Sequence, residues 1–168
     1  EIHLKHDISR KITEQVINLS IDIGIVVNPL KHPDLIIRKI CEDEVTFWVG
    51  DGGREIQDIN SDKAIVLCEP LLTQTQNLLK KAKKLGISTT RVMTMNSLEV
   101  VANLTANGCG IGILPTRVAQ SMYPDTLKRV PNAPVYSDEV CLIYRNENRN
   151  IQAIQTIGSA IKDFFKPE

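Results

Sequence analysis

An α/β fold with mixed, mostly parallel sheets flanked by helices is predicted by two features of the sequence. Segments of strand and helix character alternate along the 168 residues, the order that builds parallel sheets between helical layers. Several strand candidates, Asp22–Val27 with its one glycine, Ala64–Cys68 and Ile111–Leu114, are short continuous apolar runs rather than in–out alternations, which suits buried strands.

Taken in order, the alternation in Glu1–His6 predicts a half-buried strand with Ile2 and Leu4 on one face. Ser9 caps a short helix whose stripe is Ile12, Val16, Ile17 and Leu19. Asn28 and Pro29 end the strand that follows, because proline cannot continue a central ladder. Leu35–Ile40 and Glu44–Val49 predict two more strands, with Glu42, Asp43 and Glu44 as a solvated charged turn between them. Glu69–Pro70 stops the Ala64–Cys68 run, and a helix from Thr73 to Leu85 closes at Gly86. Ser88–Met93 is strand-like. Asn96 and Ser97 then give the next helix a polar start with Glu99 behind it, and Leu98, Val101 and Leu104 continue it. That helix ends at Asn107–Gly108, and Pro115 halts the strand Ile111–Leu114. A short helix Val118–Met122, a connection through Pro131 and Pro134, a strand Glu139–Tyr144 and a helix Ile151–Phe165 complete the chain.

Twenty basic and twenty acidic residues cancel, so the basic excess of a stand-alone nucleic-acid-binding domain is missing. The run Lys80, Lys81, Lys83 and Lys84 suits the C-terminal end of its helix. Cys41, Cys68, Cys109 and Cys141 form no C-x-x-C pair and lie among apolar neighbours, which predicts buried thiols in a reducing compartment. His3 and His6 fall on opposite faces of a strand, so no shared metal is expected. No apolar run reaches membrane-spanning length. The chain opens without a methionine or a signal peptide, as a piece of a longer protein would.

In NGCGIGILP, residues 107–115, glycine stands at positions 108, 110 and 112. A dinucleotide-binding turn needs a strand entering and a helix leaving. Here a helix enters and a strand leaves, which predicts a tight helix-to-strand junction rather than a phosphate site. Gly50–Arg54 lacks the lysine and hydroxyl of a P-loop and reads as a surface turn. Small polar residues do gather where strands end, namely Asn28, Thr73, Thr75, Asn96, Ser97 and Thr116. Open α/β sheets bind ligands beyond the carboxyl ends of their strands, so these residues are candidates to hold a small organic anion; capping explains Thr73, Asn96 and Ser97 equally well.

NSLEVVANLTANGCGIGILPTRVA, residues 96–119, resembles a signature of the effector-binding domain of LysR-type transcriptional regulators, and DIGIVVNPLKHPDLIIRKICEDEVTFWV, residues 22–49, is similar to that family's Asp-led strand, proline loop and following strands. The final strand and the helix ending at Phe164–Phe165 fit its C-terminal return, so the resemblance runs nearly the whole length in order. It implies a two-lobed fold like type-2 periplasmic binding proteins. Lobe I would be residues 1–60 and 138–168 without the family's usual first strand and helix, and lobe II residues 61–137, with crossings near Gly50–Lys63 and Pro131–Val140. It further implies a ligand-sensing role, not an enzymatic one, and a small metabolite bound between the lobes by Asn28, Pro29, Leu71, Thr73, Thr94, Asn96, Ser97, Pro115 and Thr116. No cofactor is implied. The implied partners are the effector, a homodimer or homotetramer, and DNA only through an N-terminal winged helix-turn-helix outside these residues, in the cytoplasm. A solute-binding protein of a transport system would share the fold; an enzyme on it would need an acid–base or nucleophile set that the sequence does not display.

Overall fold

The computed structural model describes residues 1–51 and 57–165. In chain order the elements are α1 (Ser9–Ile17), β1 (Ile23–Val27), β2 (Leu35–Val49), β3 (Ile65–Cys68), α2 (Thr73–Lys84), β4 (Arg91–Thr94), α3 (Leu98–Ala106), β5 (Ile111–Pro115), α4 (Thr116–Met122), β6 (Lys128–Arg129), β7 (Tyr136–Arg145), a 3-10 turn (Asn146–Asn150) and α5 (Gln152–Phe164). They form two compact units, residues 1–42 with 138–168 and residues 43–137. The chain leaves the first unit within β2 and returns to it within β7.

In the first unit β1 runs antiparallel to β7, with Ile25 opposite Leu142, and β7 has β2 on its other side. Alternation along β7 sorts its side chains into two layers. Ile143 packs with Ile12 and Val16 of α1 and with Val26 and Leu35, while Leu142 and Tyr144 pack with Ile154 of α5. β7 is thus covered on both faces, which is why it reads as an apolar run, whereas β1 at the edge leaves Ile25 exposed.

The second unit holds the parallel part. β3 lies between β4 and β5 and parallel to both; β2 joins β5 antiparallel, and β6 borders β2. The mixed sheet therefore has its parallel order in β4–β3–β5, where helices make the crossovers. One face carries Phe47, Val66, Ile111 and Ile113 against Leu78 and Ala82 of α2. The other carries Trp48, Leu67 and Leu114 against Val101 and Ala102 of α3 and Ala119 of α4. Two buried polar groups are paired across the unit: the Trp48 indole donates to the Leu114 carbonyl at 3.0 Å, and the Thr46 hydroxyl to the Pro134 carbonyl at 3.0 Å.

The glycine cluster has two separate causes. Gly108 follows α3 at φ 75°, a left-handed turn that closes the helix at little steric cost only without a Cβ. Gly112 faces α3, and a Cβ there would overlap the Thr105 hydroxyl, which is buried and donates to the Val101 carbonyl at 2.7 Å. No phosphate loop is formed.

Four expectations are corrected. Glu1–His6 forms no strand, because no described strand pairs with it, and Ile2 and Leu4 are 75% and 95% exposed. Ser9 is the first residue of α1 rather than its cap; its hydroxyl accepts the Val27 N–H at 3.0 Å instead. Leu19 lies beyond α1 at φ 64° and is exposed. The break expected at Glu42–Glu44 is absent, since β2 runs unbroken for 15 residues. Its carboxylates need no turn to escape burial: Glu42 pairs with Lys39, Glu44 with Arg129, and Asp43 accepts the Glu44 and Arg117 N–H groups. The turn read at Gly50–Arg54 lies partly outside the described residues.

Gly112→Ala should destabilise the chain by about 1–3 kcal/mol through overpacking. Combining it with Thr105→Ala should recover most of the loss, measured as a double-mutant cycle by urea denaturation; purely additive effects would refute the contact.

Candidate functional site

In the second unit the parallel strands end on one edge. Cys68 lies opposite Thr94, and β5 ends at Pro115 on the same side. Beyond each strand a helix begins: α2 at Thr73, α3 at Leu98, α4 at Thr116. Leu71, Thr73, Thr94, Asn96, Ser97, Pro115 and Thr116 all belong to this edge.

Their hydrogen bonds divide them. Ser97 caps α3, accepting the Val100 N–H at 3.3 Å and donating to Glu99 Oε2 at 2.5 Å, so both capacities of its hydroxyl are used. The Thr116 hydroxyl donates to the Glu44 carbonyl at 2.8 Å. Thr73 opens α2 without making a side-chain cap. The Thr73 and Thr94 hydroxyls and the Asn96 amide have no protein partner among the described residues, and all three residues are exposed. Leu71 is an exposed apolar surface whose N–H is held by Glu69 Oε1 at 3.1 Å. Pro115 is partly buried and contributes shape.

Electrostatics at this edge are mostly internal. Asp43 occupies the start of α4, accepting the Arg117 N–H at 3.4 Å. Burial pushes its carboxyl above the usual range, and the surrounding N–H groups and Arg117 oppose that shift only in part. Glu69, 6% exposed, is a carboxylate at the end of β3. Cys68 beside it is fully buried, and burial, aided by Glu69, pushes its thiol up to about 11, so it is no nucleophile at neutral pH.

Asn28 and Pro29 belong to the first unit, and there the structure shows a clasp. Asn28 has φ 48°, a conformation that asparagine tolerates better than most residues. Its backbone N–H donates to the Glu139 carbonyl at 2.9 Å, its Nδ2 to Asp138 Oδ1 at 2.7 Å, and its Oδ1 accepts the Glu139 N–H at 2.8 Å. Asp138 is 3% exposed. Asn28 thus fastens the end of β1 to β7, and its side chain is largely engaged.

Sequence reading missed three groups. Ser9 reaches the end of β1 only through the fold, where its hydroxyl accepts the Val27 N–H. Asp138 was not singled out in the sequence, and Glu69 was named only as part of a strand stop. The one signal for them was position, each lying at a strand end.

The family model described as the LysR substrate binding domain matches residues 1–166. No curated protein sequence matches the chain. The fold is similar to the reduced OxyR regulatory domain from Pseudomonas aeruginosa, with TM-score 0.69 and 16% identity, covering 98% of this chain and 81% of that one. It is also similar to the regulatory domain of HypT from Salmonella typhimurium in its apo form, with TM-score 0.73 and 15% identity over 95% of this chain and 79% of that one. A third is CbnR, a LysR family transcriptional regulator, with TM-score 0.64 and 17% identity over 98% of this chain and 60% of that one. At such identities the likeness establishes the fold alone.

Asn28→Ala should cost about 3 kcal/mol, since it deprives a buried carboxylate of a donor and places alanine in a left-handed conformation; a shift of the denaturation midpoint within error would exclude the clasp. In alkylation at pH 8, Cys68 should react slowest, with about one thiol in a thousand ionised, and Cys41 and Cys109, both partly exposed, ahead of it, as followed by peptide mass spectrometry.

Proposed function

Because the chain belongs to the LysR substrate-binding-domain family over residues 1–166, we propose that it is the ligand-sensing domain of a cytoplasmic LysR-type transcriptional regulator that answers to a small-molecule effector, with a small organic anion as the class to try first. The observation that carries this reading is the gathering of Thr73, Thr94 and Asn96, with unused polar groups, where three parallel strands end. A protein that binds a small polar molecule needs a few placed hydrogen-bonding groups that folding has not consumed. Leu71 and Pro115 supply apolar contact beside them, and Pro29 gives the first unit a rigid surface.

Ser97, Thr116 and Asn28 act differently. Their side chains are committed to α3, β2 and β7, so they position the ligand's neighbours rather than grip the ligand. The family match does not favour a transport solute-binding protein. The similar structures are regulator domains, so the activity expected is binding, not turnover.

Signalling requires the effector to bind one conformation more tightly than another, because a ligand with equal affinity for both shifts nothing. We place the output in self-association as a homodimer or homotetramer, with DNA contacted by the N-terminal winged helix-turn-helix of the whole regulator.

A thermal-shift screen of small carboxylates should find a ligand that stabilises the chain by about 2.7 kcal/mol at a hundred times its Kd. Thr73→Val and Asn96→Ala should each weaken that ligand without lowering the ligand-free Tm, whereas Ser97→Ala should cost about 1 kcal/mol of stability through the lost cap. Unchanged affinity in both of the first two variants would move the ligand away from the strand ends. Scattering curves and oligomer size that stay fixed at saturation would remove the switching mechanism.

A further inference from the structure

The first unit contains a groove of about 510 Å³ between α5 and the strands β2 and β7. Its floor is apolar: Leu142, Tyr144 and Ile154 are buried there, with Ile40 beside them. Its rim is cationic, since Arg38, Arg149 and Lys162 line it and no carboxylate does.

Three observations make this more than a solvated surface. First, the chain as a whole is balanced at 20 basic and 20 acidic residues, yet of the four cations that line the groove only Lys39 is paired, with Glu42 and Glu139. Among the described residues, Arg38, Arg149 and Lys162 have no ion-pair partner. Like charges held around one concavity repel each other and raise the potential inside it, which favours an entering anion. Second, the guanidinium of Arg38 stands 5.6 Å from the Tyr144 ring centroid, so one cation already lies over the aromatic part of the floor. Third, α5 carries Gly158 in mid-helix, where glycine costs about 1 kcal/mol relative to alanine. A Cβ there would come within 3.2 Å of Leu142, and Gly158 itself lines the groove. The bare backbone keeps that wall open.

We propose that this groove is a second binding site, separate from the strand-end residues, for a small carboxylate with an aryl or branched alkyl body. The carboxylate would sit among Arg38, Arg149 and Lys162, and the body on Tyr144, Leu142 and Ile154. An inorganic anion would leave the apolar floor unused, and a neutral aromatic would leave three cations unpaired.

The test is an NMR titration of the 15N-labelled chain with phenylacetate, with phenylacetamide as the neutral counterpart and inorganic phosphate as the bare anion. Phenylacetate should shift the amides of Tyr144, Gly158 and Lys162, and the other two compounds should bind at least about tenfold more weakly. The triple variant Arg38→Gln, Arg149→Gln, Lys162→Gln changes only exposed side chains and should weaken phenylacetate by about tenfold or more, with its remaining amide spectrum preserved. Lys162→Gln alone serves as the milder variant and should lower affinity in the same direction. Shifts confined to Thr73, Thr94 and Asn96 would overturn the second site, as would equal binding of phenylacetamide or an unchanged Kd in the triple variant. Phosphate binding as tight as phenylacetate would overturn the role of the apolar floor.

Discussion

The contact of Thr105 with the backbone of Gly112 governs the second unit. It brings α3 down onto β5 where any side chain at position 112 would hold it off. With the seat of α3 fixed, its start at Ser97 is fixed too, and so is the short link from the end of β4 through Asn96. The strand-end edge gets its shape from a missing side chain on the opposite side of the helix. A site built in this way is rigid because it is a by-product of close packing, which interiors do not relax cheaply.

Polar groups in this fold divide by whether folding has used them. Asn28, Ser97 and Asp43 each satisfy a backbone group at a strand or helix end, where unpaired groups are costly, and Thr116 satisfies one in the middle of β2. Thr73, Thr94 and Asn96 have capacity left over. The division runs across residue types, since Thr116 is spent on β2 and Thr73 is not. Asp43 at the start of α4 shows the same economy: a carboxylate from within the unit occupies the place where a helix end would otherwise attract a foreign anion.

Most of the architecture was legible in the sequence because it follows from local signals. Continuous apolar runs marked β1, β3 and β5, Gly86 and Gly108 marked helix ends, and Ser97 marked a helix start. The failures share one cause, dependence on a distant partner. Glu1–His6 has the alternation of a strand, but alternation forms no strand without a neighbour to bond. Glu42–Glu44 looked like a turn because three acids seldom sit in mid-strand; Lys39, Arg129 and the start of α4 make it possible, and only Lys39 is near in sequence. Ser9 was read as a helix cap for the same reason, its acceptor role being played toward Val27. The candidate list was right to look where strands end, but it could not separate spent groups from free ones, because that separation depends on hydrogen bonds between segments.

The Asn28 clasp bears on how related sequences should diverge. Glycine could adopt its backbone angle but would lose both side-chain bonds, and aspartate would set a second carboxylate against Asp138. Drift at position 28 is therefore blocked by folding, whatever the effector. Positions 73, 94 and 96 carry no such burden, so they are free to vary from one lineage to another as the recognised metabolite changes. On the proposed reading, a change of ligand preference is open to the polar groups that folding leaves unused, and the asparagine clasp stays with the architecture.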